Sequence, residues 1–184
     1  MNKILKSGLT VFIVATIGTL LLSWVYSFTS PKIEKQKLET IKSAIREIFL
    51  NESKFEKLED FSNIDLGGGT SILDVYLVNL NDGNRGYVIR CKFSGYGGKI
   101  ESLIGYEGEK CKGIYVIEHS ETPGLGARIV ENSFRNQFVD KSLYDPFKVK
   151  SDITPITGAT ISSNAVSNAI KKIGNFYLEN LKGR

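Results

Sequence analysis

The rhythm of apolar and polar positions changes twice along this chain, and each change marks a different kind of element. Between Lys6 and Lys32 no residue is charged, and positions 9–28 are mostly Leu, Ile, Val, Phe, Ala, Gly and Thr. At roughly 1.5 Å per residue, about 20 such positions cover the ~30 Å hydrocarbon thickness of a bilayer as a helix, so the segment predicts a membrane span. Trp24 and Tyr26 near its far end fit an interfacial belt. Lys3 and Lys6 precede it, while Lys32, Lys35 and Lys37 mix with Glu34 behind it, a bias that weakly favours an inside N-terminus. A cleaved signal peptide is the competing reading, but the apolar run is long for that role and Ser-Trp-Val-Tyr-Ser-Phe offers no small-residue cleavage site. An anchor of this kind raises the effective concentration of the tethered domain near membrane partners.

Behind the span, residues 33–49 place Leu38, Ile41, Ala44, Ile45 and Ile48 at helical spacing, which predicts an amphipathic helix. It either continues the anchor beyond Pro31 or starts anew there, since proline suits a first helical turn. Residues 65–69 read as a turn. The period then shortens. Residues 73–78 and 86–93 read as strands separated by Asn81-Asp82-Gly83-Asn84, and 100–106 and 113–117 as two more with Gly108 in the intervening turn. Phe134 and Phe138, at i and i+4, predict the buried face of a helix, and Ala165, Val166, Ala169, Ile170 and Ile173 that of another. No internal repeat or low-complexity tract divides residues 31–184, which suffice for one domain. The sum is an α+β fold: a single N-terminal transmembrane helix followed by one domain built around an antiparallel sheet.

Charge and cysteine usage narrow the chemistry by exclusion. The net charge of +4 comes partly from Lys3 and Lys6 and partly from Lys171, Lys172, Lys182 and Arg184. These are dispersed among acidic neighbours, so no nucleic-acid footprint emerges. Cys91 and Cys111 are too few and too far apart for an iron–sulfur ligand run. They read as packing residues or free thiols, and spacing leaves a disulfide open. His119 is the single histidine, and without an organised set of Cys, Asp or Glu it is assigned neither a metal nor a base role. Glu118 and Glu121 complete no acid–base constellation with it, so no amino-acid catalytic residue is assigned.

Two separated segments carry the candidate chemistry. In Thr157-Gly158-Ala159-Thr160-Ile161-Ser162-Ser163, Gly158 and Ala159 keep bulk off the backbone while hydroxyls cluster ahead of the C-terminal helical pattern. Amides at a helix start favour an anion such as a phosphate; the plainer reading is an N-cap supplied by Ser162 or Ser163. A threonine hydroxyl is a poor nucleophile and no redox group, so Thr160 can anchor a redox group but cannot be one. The other segment, Glu121-Thr122-Pro123-Gly124-Leu125-Gly126, follows the runs Gly95-Tyr96-Gly97-Gly98-Lys99-Ile100 and Gly113-Ile114-Tyr115-Val116. Pro123 fixes the backbone between Thr122 and Gly124, while Gly124 and Gly126 permit tight approach around Leu125. An ordinary Pro-Gly surface turn has the same composition.

Taken together, these segments resemble the FMN-binding domain family, typified by the G subunit of the Rnf electron-transport complex and the C subunit of the sodium-pumping NADH:quinone reductase. In that family a Ser or Thr followed by Gly-Ala-Thr carries FMN on the last threonine through a phosphoester. The resemblance therefore implies FMN covalently attached to Thr160, with Thr157, Gly158, Ala159 and Ser163 around it. It also implies that Glu121, Thr122, Gly124, Leu125 and Gly126 face the flavin, with Leu125 packed on the ring and Thr122 and backbone amides bonded to its polar edge. An aspartate commonly stands three positions before the motif's first hydroxyl residue. Here that position is Thr154, and the nearest aspartate is Asp152.

With the anchor included, the resemblance covers nearly the whole chain. It implies an N-terminal segment and membrane anchor over 1–30, an amphipathic helical stalk and linker over 31–64, and an FMN-binding domain over 65–184. Length and the central match favour the G subunit: an electron-relay subunit of a membrane ion-translocating ferredoxin:NAD oxidoreductase complex. It would be single-pass in a bacterial or archaeal cytoplasmic membrane, with the C-terminal domain extracytoplasmic. The implied partners are the other membrane and redox subunits, the lipid bilayer and a flavin transferase for maturation, with no nucleic acid. The chain has no NAD-binding fingerprint and no ferredoxin-like cysteine run, so those chemistries fall to partners and it has no independent catalytic centre. Two alternatives stand: the flavoprotein subunit of a sodium-translocating NADH:quinone reductase, and a membrane-anchored noncovalent FMN-binding or sensory domain.

Overall fold

The computed structural model of the chain describes residues 3–50 and 52–183, and only the backbone at 3–5, 31, 33, 34 and 53. The side chains of Lys3 and Glu34, and the whole of Arg184, lie outside the described residues. The chain falls into two compact units, Met1–Ile41 and Lys42–Arg184.

The first unit is helical throughout its described length, as the leading part of α1 (Lys3–Ile48). The helix runs through Pro31 without a break, so the amphipathic segment continues the anchor rather than starting anew. Leu9, Phe12, Leu20, Leu22 and Phe28 are exposed, and α1 is the one helix among the described residues long and apolar enough to cross a membrane. Its polar side chains are satisfied locally. Thr10, Thr16, Thr19, Ser27 and Thr29 each donate a hydroxyl to the carbonyl four residues earlier, at 2.8–3.0 Å, which removes the need for water that hydrocarbon cannot supply. Leu38, expected on the buried stripe, is exposed.

In the second unit, β1 (Glu52–Leu58), β2 (Ile64–Gly67), β3 (Thr70–Leu80), β4 (Arg85–Ser94), β5 (Lys99–Glu107), β6 (Lys110–Glu118) and β7 (Lys141–Ser142) form one antiparallel sheet. Its order is β1-β3-β4-β5-β6-β7, with β2 also paired to β3. The turn expected at 65–69 is tighter than its glycines suggest. Ile64–Gly67 is itself a strand, and the chain reverses at Gly68 and Gly69, whose φ values of +57 and +74 suit glycine. The segment 31–64, expected as stalk and linker, contributes β1 to the sheet. Its sequence, Glu-Ser-Lys-Phe-Glu-Lys-Leu, is charged enough to hide a strand but suits a sheet edge.

Most of β4 and β5 is buried, the half-buried Arg90 and Lys92 of β4 being the interior exceptions. On one face Tyr87, Ile89, Cys91 and Phe93 pair with Tyr106, Ile104, Ser102 and Ile100, and α3 (Thr160–Asn180) supplies Val166, Ala169, Ile170, Ile173 and Tyr177 to the same core. Tyr106 stacks on Tyr177 with ring centroids 5.2 Å apart and donates its hydroxyl to the Ile170 carbonyl at 2.8 Å. Burial holds that hydroxyl protonated by raising its pKa well above the usual value. Burial likewise pushes the Cys111 thiol up to about 12 and raises that of Cys91. Both cysteines are free and buried, and they serve as inert packing residues.

The opposite face is divided between packing and charge. Ile48 and Phe49 sit over Gly105 and Gly86, where a Cβ would collide with their side chains. Further along, Arg90 donates to Asp74 at 2.9 Å and to Glu101 at 2.8 Å, while Lys57 pairs with Asp74 at 2.8 Å and Lys92 with Glu101 at 3.0 Å. Burial alone would raise the Glu101 carboxyl, but the hydrogen bonds from Arg90 and Lys92 outweigh it and hold the group below the ordinary carboxylate range. The helix predicted around Phe134 and Phe138 is broken into the 3₁₀ turn Gly126–Val130, α2 (Asn132–Arg135) and the 3₁₀ turn Asn136–Phe138, because Glu131 is extended between the first two. The two rings still meet at 5.4 Å.

A group with a depressed folded-state pKa contributes stability that is complete above its unfolded value and lost as pH falls through the folded one. For Glu101 the loss therefore begins below pH 4.5, its unperturbed value. Thermal unfolding of the detergent-solubilised chain across an acid series should show this leg. Arg90→Met should flatten it while lowering stability at neutral pH, because Asp74 and Glu101 lose their shared partner.

Candidate functional site

Three segments distant in sequence converge at the start of α3: the 95–98 turn joining β4 to β5, the 119–126 loop after β6, and the first helical turn itself. The Glu121 side chain joins them. It is buried, its Oε1 accepts the Gly97 amide at 3.0 Å, and its Oε2 accepts the Ser162 hydroxyl at 2.5 Å. The surrounding glycines make room for this carboxylate. A Cβ on Gly95 or Gly126 would strike it, and one on Gly97 would strike the Ser120 carbonyl. His119 braces the same loop, its Nδ1 accepting the Glu121 amide at 3.2 Å.

The Pro-Gly loop closes on itself around the Thr122 carbonyl, which accepts the amides of Leu125 at 3.2 Å and Ala127 at 3.1 Å. Gly124 takes a φ of +75 in that turn. Leu125 stands out from it, 44% exposed, and its Cδ2 lies where a Cβ on Gly158 would have to go.

The turn before α3 is held from behind. Asp152 accepts the amides of Phe147 at 3.0 Å and Lys148 at 2.6 Å and pairs with Lys141 at 3.0 Å. Gln137 accepts the Thr154 amide at 2.8 Å and donates to its carbonyl at 3.1 Å. Ser163 accepts the Ile156 amide at 3.0 Å and donates to the Ala159 carbonyl at 2.9 Å. The helix begins at Thr160, with Ala159 at the cap position and no side chain capping it. Neither Ser162 nor Ser163 is the N-cap: the first is held by Glu121 and the second braces the preceding turn. Since the first helical bond runs from the Ser163 amide to the Ala159 carbonyl, at 3.0 Å, the amides of Thr160, Ile161 and Ser162 precede the ladder.

A cleft of about 400 Å³ surrounds this helix start, lined by Tyr96, Glu121, Thr122, Leu125, Gly126, Gly158, Ala159, Thr160, Ile161 and Ser162. Its size lies within the roughly 300–1,000 Å³ of small-molecule sites. Seven of the residues singled out from the sequence meet here: Glu121, Thr122, Leu125, Gly126, Gly158, Ala159 and Thr160. Gly124, Ser163 and Thr157 do not line it; Gly124 shapes the loop, Ser163 braces the turn and Thr157 is exposed to solvent. Tyr96, Ile161 and Ser162 also line it, although the sequence assigns none of them to a cofactor site and offers Ser162 only as a helix cap. Among the described lining residues none is Lys or Arg. Nor, among the described residues, do three or more His, Cys, Asp or Glu side chains gather to hold a metal ion. The partly apolar lining and the helix start suit a ligand with an apolar body and an anionic end.

Comparison with known proteins agrees in position. Residues 95–174 match the family model described as FMN-binding domain, and residues 1–48 that described as RnfG N-terminal region. The G subunit of the ion-translocating oxidoreductase complex of Methanosarcina acetivorans is 33% identical over 173 residues, covering 92% of each chain. The G subunit of the proton-translocating ferredoxin:NAD(+) oxidoreductase complex of Clostridium ljungdahlii is 30% identical over 178 residues, covering 93% of this chain and 90% of that one. Among solved structures, the C subunit of the Na(+)-translocating NADH-quinone reductase of Parabacteroides distasonis shares the fold. Its TM-score is 0.50 at 24% identity, over 62% of this chain and 64% of that one.

The Glu121 junction sets the stability of this region. Glu121→Ala leaves the Gly97 amide and the Ser162 hydroxyl without their acceptor and should cost about 2–3 kcal/mol. Glu121→Gln, which keeps an acceptor, should cost less than half of that. Chemical denaturation of the two variants beside the parent chain measures the difference.

Proposed function

Because the chain belongs to the G-subunit family of ion-translocating oxidoreductase complexes, we propose that it is the electron-relay subunit of a membrane ferredoxin:NAD oxidoreductase complex, carrying FMN through a phosphoester on Thr160. The single observation that carries this reading is the place of Thr160: it is the first residue of α3 and lines the cleft at the helix start, where three amides precede the helical ladder. Charge supports the ester over a loosely held ligand. A free phosphate monoester bears about −1.5 to −2 charges near neutral pH, whereas a diester bears one. A helix start offers the equivalent of roughly half a positive charge, and no Lys or Arg lines the cleft to balance more.

FMN supplies one-electron and two-electron redox chemistry when bound; the chain's own residues hold and shield it. In this reading Thr160 fixes the phosphate end, and Gly158 and Ala159 let the backbone approach. Leu125 offers an apolar surface to the ring, and the Thr122 hydroxyl offers a hydrogen bond to its polar edge. Residues 1–30 anchor the chain in the lipid bilayer, Lys3 and Lys6 favouring a cytoplasmic N-terminus and an extracytoplasmic flavin domain. The flavin domain of residues 65–184 takes β1 as an edge strand of its sheet. Other subunits of the complex supply the NAD and ferredoxin chemistry, and a flavin transferase completes maturation.

One observation favours a second reading, noncovalent FMN. Thr154 stands where the attachment motif commonly has an aspartate, and Asp152 is committed to the Phe147 and Lys148 amides and to Lys141. Mass separates the two. The chain purified from its native host should be heavier by FMN minus water, with the increment on the peptide containing Thr160, and Thr160→Val should abolish it. An unmodified native chain would overturn the covalent relay.

A further inference from the structure

We propose that Tyr96 is the aromatic wall of the cleft and stacks on the flavin ring, a positioning residue that rests on the reading of the cleft as a flavin site. Tyr96 is 69% exposed, yet the backbone on either side of it is fixed. The Gly95 amide donates to the Gly98 carbonyl at 2.7 Å and the Gly97 amide to Glu121 at 3.0 Å. The turn is packed so closely that a Cβ on Gly95 would meet Ile100 and Glu121. Among the described residues the Tyr96 ring meets no other aromatic ring and its hydroxyl has no hydrogen-bond partner. A turn held by these bonds therefore carries an unpartnered aromatic residue at the lining of the cleft.

Its other apolar neighbours there, Leu125 and Ile161, are aliphatic and also exposed. Tyr96 is thus the lining side chain able to offer a π-face, the surface that a planar conjugated ring system packs against. The connection to the attachment point strengthens the case. Gly97 follows Tyr96, Ser162 lies two residues beyond Thr160, and Glu121 bonds to both Gly97 and Ser162. One carboxylate thereby ties the turn that carries Tyr96 to the helical turn that begins at Thr160.

The test uses the full chain from its native host as Tyr96, Tyr96→Leu and Tyr96→Trp, with intact mass giving flavin load and fluorescence yield and lifetime read per attached flavin. A stacked phenol or indole ring quenches flavin emission, so Tyr96→Leu should brighten several-fold with a longer lifetime while Tyr96→Trp stays dark. Wild-type fluorescence in a fully loaded Tyr96→Leu chain would overturn the wall while leaving the flavin site intact. A parent chain without flavin mass would instead overturn the flavin reading, and the wall with it. If Tyr96→Leu does not load, loading of Tyr96→Trp supports the wall and failure of both overturns it.

Discussion

The Glu121 carboxylate is the constraint on which the cleft depends. It is buried and acceptor-only when ionised, so its location demands donors, and the fold supplies them from Gly97 and Ser162. Each comes from a different part of the chain: one from the turn between two central strands, the other from the first turn of the helix that covers them. The carboxylate therefore fixes the position of α3 along the sheet as well as the shape of the loop. The glycine content of these segments follows from the same demand, since the space beside the carboxylate is where side chains of Gly95 and Gly126 would stand.

The rest of the second unit provides a base stiff enough for that junction. Tyr106 ties β5 to the middle of α3, through its stack on Tyr177 and its bond to the Ile170 carbonyl, so the helix is held well away from its functional end. On the other side of the sheet, Ile48 and Phe49 occupy the space left by Gly105 and Gly86. Behind the helix start, Gln137 and Asp152 hold a stretch with little regular structure. A turn at the edge of a cleft can be irregular only if other groups satisfy its backbone, and these two side chains contribute to that.

Much of this was legible in the sequence. The α+β class, the four central strands and the α3 face followed from apolar spacing, and the two glycine-containing segments were identified as belonging together by resemblance. What stayed hidden has physical reasons. β1 escaped notice because an edge strand rich in Lys and Glu lacks the alternation that marks a half-buried one. Ser162 and Ser163 looked like helix caps because a hydroxyl near a helix start has that local use, whereas their actual partners include a carboxylate 41 residues away. Tyr96 carried no periodic signal, since its importance comes from a turn that only long-range contacts immobilise. Gly124 and Thr157, expected around the flavin, do not line the cleft: one serves loop shape and the other faces water.

The spread of the Glu121 junction along the chain also imposes an order on biogenesis. Ser162 is synthesised well after Gly97 and Glu121, so the junction that shapes the turn containing Thr160 cannot close before the start of α3 has been made. Until then the carboxylate lacks its Ser162 donor. The turn that carries the flavin in the proposed relay is consequently among the last features of the molecule that can form. An enzyme that recognises its folded shape would act only on chains that have completed folding, so cofactor loading would double as a proof of assembly.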